Sequence, residues 1–128
     1  MDLVTPIYAG LIALLFLVLS FRVVLGRRAH KVSYGDGGNK DLLKRMRAQA
    51  NCAEYAPVGV ILLLMAELQR MPPWLVHAAG ATLLAGRLLH AYGFGHTPQI
   101  VILRIWGMYL TVGMIALTAI ATIAHALF

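Results

Sequence analysis

The chain has one cysteine, Cys52, and only five acidic residues among 128. A lone cysteine cannot build an intramolecular disulfide framework. No Cys/His cluster with zinc-ligand spacing is present, so neither a disulfide scaffold nor a metal site is expected. Charged residues make up 12% of the chain, against about 25% in soluble domains. No nucleic-acid-binding motif, internal repeat or low-complexity segment stands out. The net charge of +6 therefore does not argue for a nucleic-acid partner, because most of the basic residues flank apolar runs, where they serve membrane topology.

What the sequence has in abundance is apolar surface: 60% of residues, with a mean hydropathy of +0.77. Soluble proteins hold about 45–50%. Four apolar runs are long enough to cross a bilayer. The expected fold is all-α, a single domain over residues 1–128, forming an integral-membrane four-helix up-and-down bundle. Its helices are expected at about residues 3–28, 41–69, 74–92 and 99–126. The first run is not read as a cleaved signal peptide, because its basic cluster follows the run and the start carries Asp2. Gly26 to Lys44 is basic and rich in turn residues. By the positive-inside rule this loop is cytoplasmic, as is the second loop at Gly93 to Pro98, and both termini lie on the opposite side. Pro72 and Pro73 end the second helix. The third is rich in Ala and Gly, which lets helix backbones approach closely.

Lys44 to Pro57, K-R-M-R-A-Q-A-N-C-A-E-Y-A-P, carries polar side chains straight into an apolar run. Arg47, Asn51, Glu54 and Tyr55 share one helical face over two turns. Counted along the expected helices at 1.5 Å per residue, Glu54 lies roughly 15 Å deep and Arg87 and Arg104 roughly 9 Å, all in the cytoplasmic half. Charges at such depth should face one another. The simplest pairing is Glu54 with Arg87, which leaves Arg104 without a carboxylate and in need of an anion from outside. Blander roles exist for most of these residues: a register-fixing ion pair for Glu54 and Arg87, an interhelical hydrogen bond for Asn51, and an interfacial place for His90. Cys52 reads as packing, and Tyr55, Tyr92 and Tyr109 as belt or core aromatics.

R-A-Q-A-N-C-A-E-Y (Arg47 to Tyr55), preceded by G-R-R-A-H-K-V-S (Gly26 to Ser33), resembles the MAPEG family, the membrane-associated proteins in eicosanoid and glutathione metabolism. The likeness is nearest to leukotriene C4 synthase and the microsomal glutathione transferases, and it covers nearly the whole chain. It implies a homotrimer with glutathione bound as co-substrate at each subunit interface, opening to the cytoplasm. By matching position it implies glutathione ligands at Arg27, Arg47, Gln49, Asn51, Glu54 and Tyr55, a third-helix set of Arg87, His90 and Phe94, and Arg104 as the catalytic residue beside the thiol. Phe94 stands where the family often has tyrosine. Ile105 follows Arg104 in place of the serine of the prostaglandin E synthase branch, which disfavours that isomerase chemistry.

The chemistry runs parallel to the resemblance. Glutathione carries two carboxylates, an ammonium and a thiol, and a set of arginines with one carboxylate complements it. A free thiol, with a pKa of about 8.5, is mostly protonated at neutral pH, and a neighbouring guanidinium favours the nucleophilic thiolate. The implied activity is membrane-bound glutathione transfer to lipophilic electrophiles, a detoxification chemistry, with peroxidase activity as a variant. The alternative is a non-enzymatic lipid-binding or scaffold member of the same family. A small multidrug-type exporter is disfavoured, since such a protein would carry its glutamate in the first helix with few arginines nearby. The small loops and short chain suit a bacterial inner membrane, where lipid surrounds the helices.

Overall fold

The computed structural model describes residues 3–128, and Asp2 lies outside them. Four helices follow one another: α1 (Thr5–His30), α2 (Lys40–Leu68), α3 (Pro73–Gly95) and α4 (Val101–Leu127). Three of them, α1, α2 and α4, are long and apolar enough by their own composition to cross a membrane. The third is not among them, because its sequence spends positions on Arg87, His90 and small residues that it turns inward. Arg87, His90, Gly80 and Gly86 are all buried. α2 and α3 form the centre of the bundle, each touching the other three helices, while α1 and α4 do not meet.

Chain punctuation accounts for the helix ends. α1 stops at Lys31, which takes a left-handed conformation (φ 53) and returns its amide to the last turn. In the loop that follows, Gly37 holds φ 57, and a Cβ there would meet Val32 at 2.7 Å, so this turn requires glycine. Asn39 caps α2, its side chain accepting from the Leu42 amide at 2.9 Å. Pro72 and Pro73 begin α3, where a missing N–H costs nothing. α3 continues three residues past its expected end at Tyr92, because the Gly93 backbone lies directly against α4.

Inside a bilayer apolar burial supplies little drive for helix association, so close van der Waals contact and interhelical hydrogen bonds must hold the bundle. Leu42, Leu63 and Leu83 are fully enclosed. The tightest seam joins α3 to α4: a Cβ on Gly86 would lie 2.9 Å from the Gly107 carbonyl, and one on Gly93 would lie 2.6 Å from the Arg104 amide.

Glu67, at the far end of α2 from the basic loop, caps α1 from another helix. Its buried carboxylate accepts from the Val4 amide and, at 3.1 Å, from the Thr5 amide. α1 has no side-chain cap of its own at Val4, and orphan amides at a helix start need acceptors. Glu67→Ala is expected to cost about 1–3 kcal/mol, with Glu67→Gln, which keeps one acceptor oxygen, costing less. Thermal unfolding in detergent reads the difference, and an unchanged midpoint for both would refute the capping role.

Candidate functional site

The polar residues in the half of the bundle next to the Lys31–Asn39 loop separate into groups, and the rotation of each helix decides which. At 100° per residue, Arg47 and Glu54 differ by about 20° around the α2 axis, while Asn51 and Tyr55 are turned about 40° and 80° from Arg47. That turn brings them towards the buried stripe of Ala48, Cys52 and Ala56. Arg47 and Glu54 thus pair with each other on the outer face, Nη1 to Oε1 at 3.9 Å, with side chains 55% and 53% exposed. Asn51 and Tyr55, half-buried, face α3.

The expected pair of Glu54 with Arg87 does not form. Arg87 is 1% exposed. Its Nη1 donates to Asn51 Oδ1 at 2.6 Å and its Nε to Thr111 Oγ1 at 3.1 Å, while Nη2 lies 3.3 Å from the Met108 sulfur. Its guanidinium carbon stands 5.9 Å from the Tyr55 ring centroid. Sequence spacing can set which face of α2 carries Glu54, but not that α3 meets that helix on the Asn51 side.

The shared depth of the three charges is also revised. α4 begins at Val101, which puts Arg104 in its first turn, level with Gly93 of α3. Arg87 lies six residues further along α3, so roughly 9 Å deeper. Arg104 is exposed. It stacks on Phe94, guanidinium carbon 4.4 Å from the ring centroid, and donates to Gln99 Oε1 at 3.2 Å. Phe94 in turn stacks on the buried His90, with centroids 5.6 Å apart and planes 10° from parallel. Among the described residues Arg104 meets no carboxylate. Its charge is held in place by an aromatic face and an amide, so it is free to meet an anion.

A cleft of about 420 Å³ opens beside this stack, lined by Lys40, Lys44, Arg47, Phe94, Thr97 and Gln99 among others. Lys44 ties its wall together, donating to the His96 carbonyl and Thr97 hydroxyl, both at 2.9 Å. Of the sequence-derived candidates, Arg47 and Phe94 line the cleft. Arg27 and Gln49 are turned to α1 and its loop: Arg27 donates to the Gly35 carbonyl at 2.6 Å, and Gln49 Nε2 lies 3.5 Å from Ser20 Oγ.

Sequence reasoning missed Gln99, Lys44 and Thr111. For Thr111 a signal exists. Gly107, Thr111, Met114, Thr118 and Thr122 form the buried stripe of α4, and a small or hydroxyl-bearing stripe on an otherwise apolar helix marks a polar or close-packed contact.

The site is thus a largely basic cleft at the basic-loop end of a helical membrane protein, with the Asp41 carboxylate in its lining and Glu54 beside Arg47 on the outer face. Comparison with known proteins agrees with that architecture. The model of the MAPEG family matches residues 5–124. The chain is similar to the inner membrane protein YecN of Escherichia coli (strain K12), 45% identical over 94 residues, which cover 73% of this chain and 72% of the relative. The protein of the same name from Escherichia coli O6:H1 matches equally, at 45% over 94 residues. With the four-helix membrane fold, the α2 motif and a family match over nearly its whole length, the chain belongs to the MAPEG family, the membrane-associated proteins of eicosanoid and glutathione metabolism.

Proposed function

We propose that this protein is a membrane-embedded glutathione transferase, with peroxidase activity towards lipophilic peroxides, and that Arg104 holds the thiolate. The observation that carries the reading is the state of Arg104: a guanidinium stacked at 4.4 Å on Phe94, paired with no carboxylate among the described residues, beside a cleft whose lining holds Lys40, Lys44 and Arg47 against one carboxylate, Asp41. Such a place suits an anion of the size of a thiolate. Arg47 complements a glutathione carboxylate, and Glu54 its ammonium. Arg27 and Gln49 join them through the neighbouring copy of the site.

The Arg47–Glu54 pair is more than half exposed on the flank of a membrane helix, where hydrocarbon is a poor neighbour for two charges. The homotrimer implied by the family resemblance covers this face with a second copy and closes the site between subunits. Thiolate attack on an aryl halide then forms a C–S bond and expels halide, the thiol proton having left to solvent. The electrophile arrives laterally from the bilayer. Insertion in a bacterial inner membrane with the basic first loop and the second loop inside, and hence both termini outside, puts the cleft in contact with cytoplasmic glutathione.

Purified protein in detergent tests this directly by calorimetric titration with glutathione and by conjugation of an aryl halide. Saturable uptake with glutathione-dependent product is expected. Uptake without turnover of any electrophile or peroxide would favour the scaffold alternative, and no uptake at millimolar glutathione would overturn the reading.

A further inference from the structure

Arg87 is the most enclosed charge among the described residues, yet every acceptor around it is neutral: the Thr111 hydroxyl, the Asn51 carbonyl oxygen and the Met108 sulfur. It forms no ion pair among the described residues. Evolving a buried guanidinium into a place with no counter-charge is costly unless its field is used.

The hydrogen-bond directions around it are fixed by what each group can do. A guanidinium only donates, so the Asn51 atom facing Nη1 at 2.6 Å is its carbonyl oxygen. The Asn51 NH2 is thereby turned away from Arg87, and it has no acceptor among the described residues, although it is not sealed from its surroundings. Thr111 spends its own proton on the Gly107 carbonyl at 2.8 Å, leaving a lone pair for Arg87 Nε. Donation therefore runs outward from Arg87 in two directions, through Thr111 into the α3–α4 glycine seam and to the half-buried Asn51 amide one turn from Arg47 and Glu54.

We propose that Arg87 is a positioning residue, locked by Thr111, that fixes Asn51 so that its amide offers only donors to the ligand, which selects a carboxylate or carbonyl oxygen at that point of the site. The inference rests on the proposed binding of glutathione. Arg87 itself touches no ligand in this scheme; its charge reaches the site through the polarised Asn51 amide.

Asn51→Asp is the decisive change. It preserves size and gives Arg87 a carboxylate, so the thermal midpoint should not fall, but it replaces the outward NH2 by oxygen. Glutathione Kd, measured by titration in detergent, is expected to rise about 10- to 100-fold, the range for losing one hydrogen bond to a charged group. Thr111→Val, nearly the same shape without the acceptor, is expected to raise KM for glutathione several-fold more than it lowers kcat, with Thr111→Ser restoring the wild-type value. Wild-type protein that binds glutathione alongside an Asn51→Asp protein that binds it within twofold would overturn the inference and leave the transferase reading intact. Should Asn51→Asp fail to fold, a Thr111→Val protein with unchanged KM, or with kcat alone reduced, overturns it equally. Wild-type protein that takes up no glutathione brings down both.

Discussion

Arg104→Ala is expected to lower turnover of an aryl halide by about 100-fold, the scale seen when one preorganised group facing a reacting anion is removed, while glutathione Kd changes by less than about threefold. The split follows from what the side chain touches. Arg104 contributes to the fold only a stack on Phe94 at 4.4 Å and a hydrogen bond to Gln99 at 3.2 Å, both at an exposed position in the first turn of α4. Its loss should leave the bundle standing. In the proposed site the carboxylates and ammonium of glutathione would retain Arg47 and Glu54, so affinity should be largely kept. What disappears is the positive charge that favours thiolate over thiol, and with it the nucleophile at neutral pH. Thiolate absorbance of the bound tripeptide should vanish with activity. Arg104→Lys should recover only part of it, since an ammonium keeps the charge but neither the planar stack nor the forked donors. If Kd rose in step with the loss of turnover, Arg104 would be a binding residue and the catalytic assignment would fail.

Gly107→Val should abolish the folded state, at a cost of about 3 kcal/mol or more. A Cβ at this position would stand 2.6 Å from the Gly86 carbonyl oxygen and 2.8 Å from the His90 Cα. Both are backbone atoms of α3, so no rotamer change relieves the clash and the two helices must separate. That separation carries Thr111, one turn along α4, away from Arg87, and shifts the α4 start that holds Arg104. Stability and site should therefore be lost together. Gly113 is the matched control on the same helix: its Cβ would meet nothing within 4 Å, so Gly113→Ala should be neutral or slightly stabilising, alanine being the better helix former. Extraction yield and thermal midpoint in detergent separate the two, and a Gly107→Val protein as stable as the wild type would show that the seam is not needed.

Much of the molecule is legible in its sequence. Apolar runs bounded by Pro72, Pro73, Asn39 and the glycine loop specify four helices, because a bilayer permits little else for a chain so poor in charge. The 3.6-residue period places Arg47 and Glu54 on one face of α2. The motif from Arg47 to Tyr55 carries the family. These are properties of one helix at a time, or of the chain as a whole, and local backbone geometry and solvent set them.

The tertiary structure alone decided which groups meet. Periodicity gives the angle of a side chain about its own axis, but not the rotation of that helix against its neighbours or the register between them. A turn of about 40° separates Asn51, which meets Arg87, from Arg47, which takes Glu54 instead. Register, set by the close approach of Gly86, Gly93 and Gly107, brings Thr111 under Arg87 and raises Arg104 to the level of Gly93. Glu67, unremarkable in sequence, became the cap of α1 because α1 and α2 run side by side and the start of one lies at the end of the other. Which ions pair in a membrane bundle is a question of contact between helices, and contact is a property of their packing.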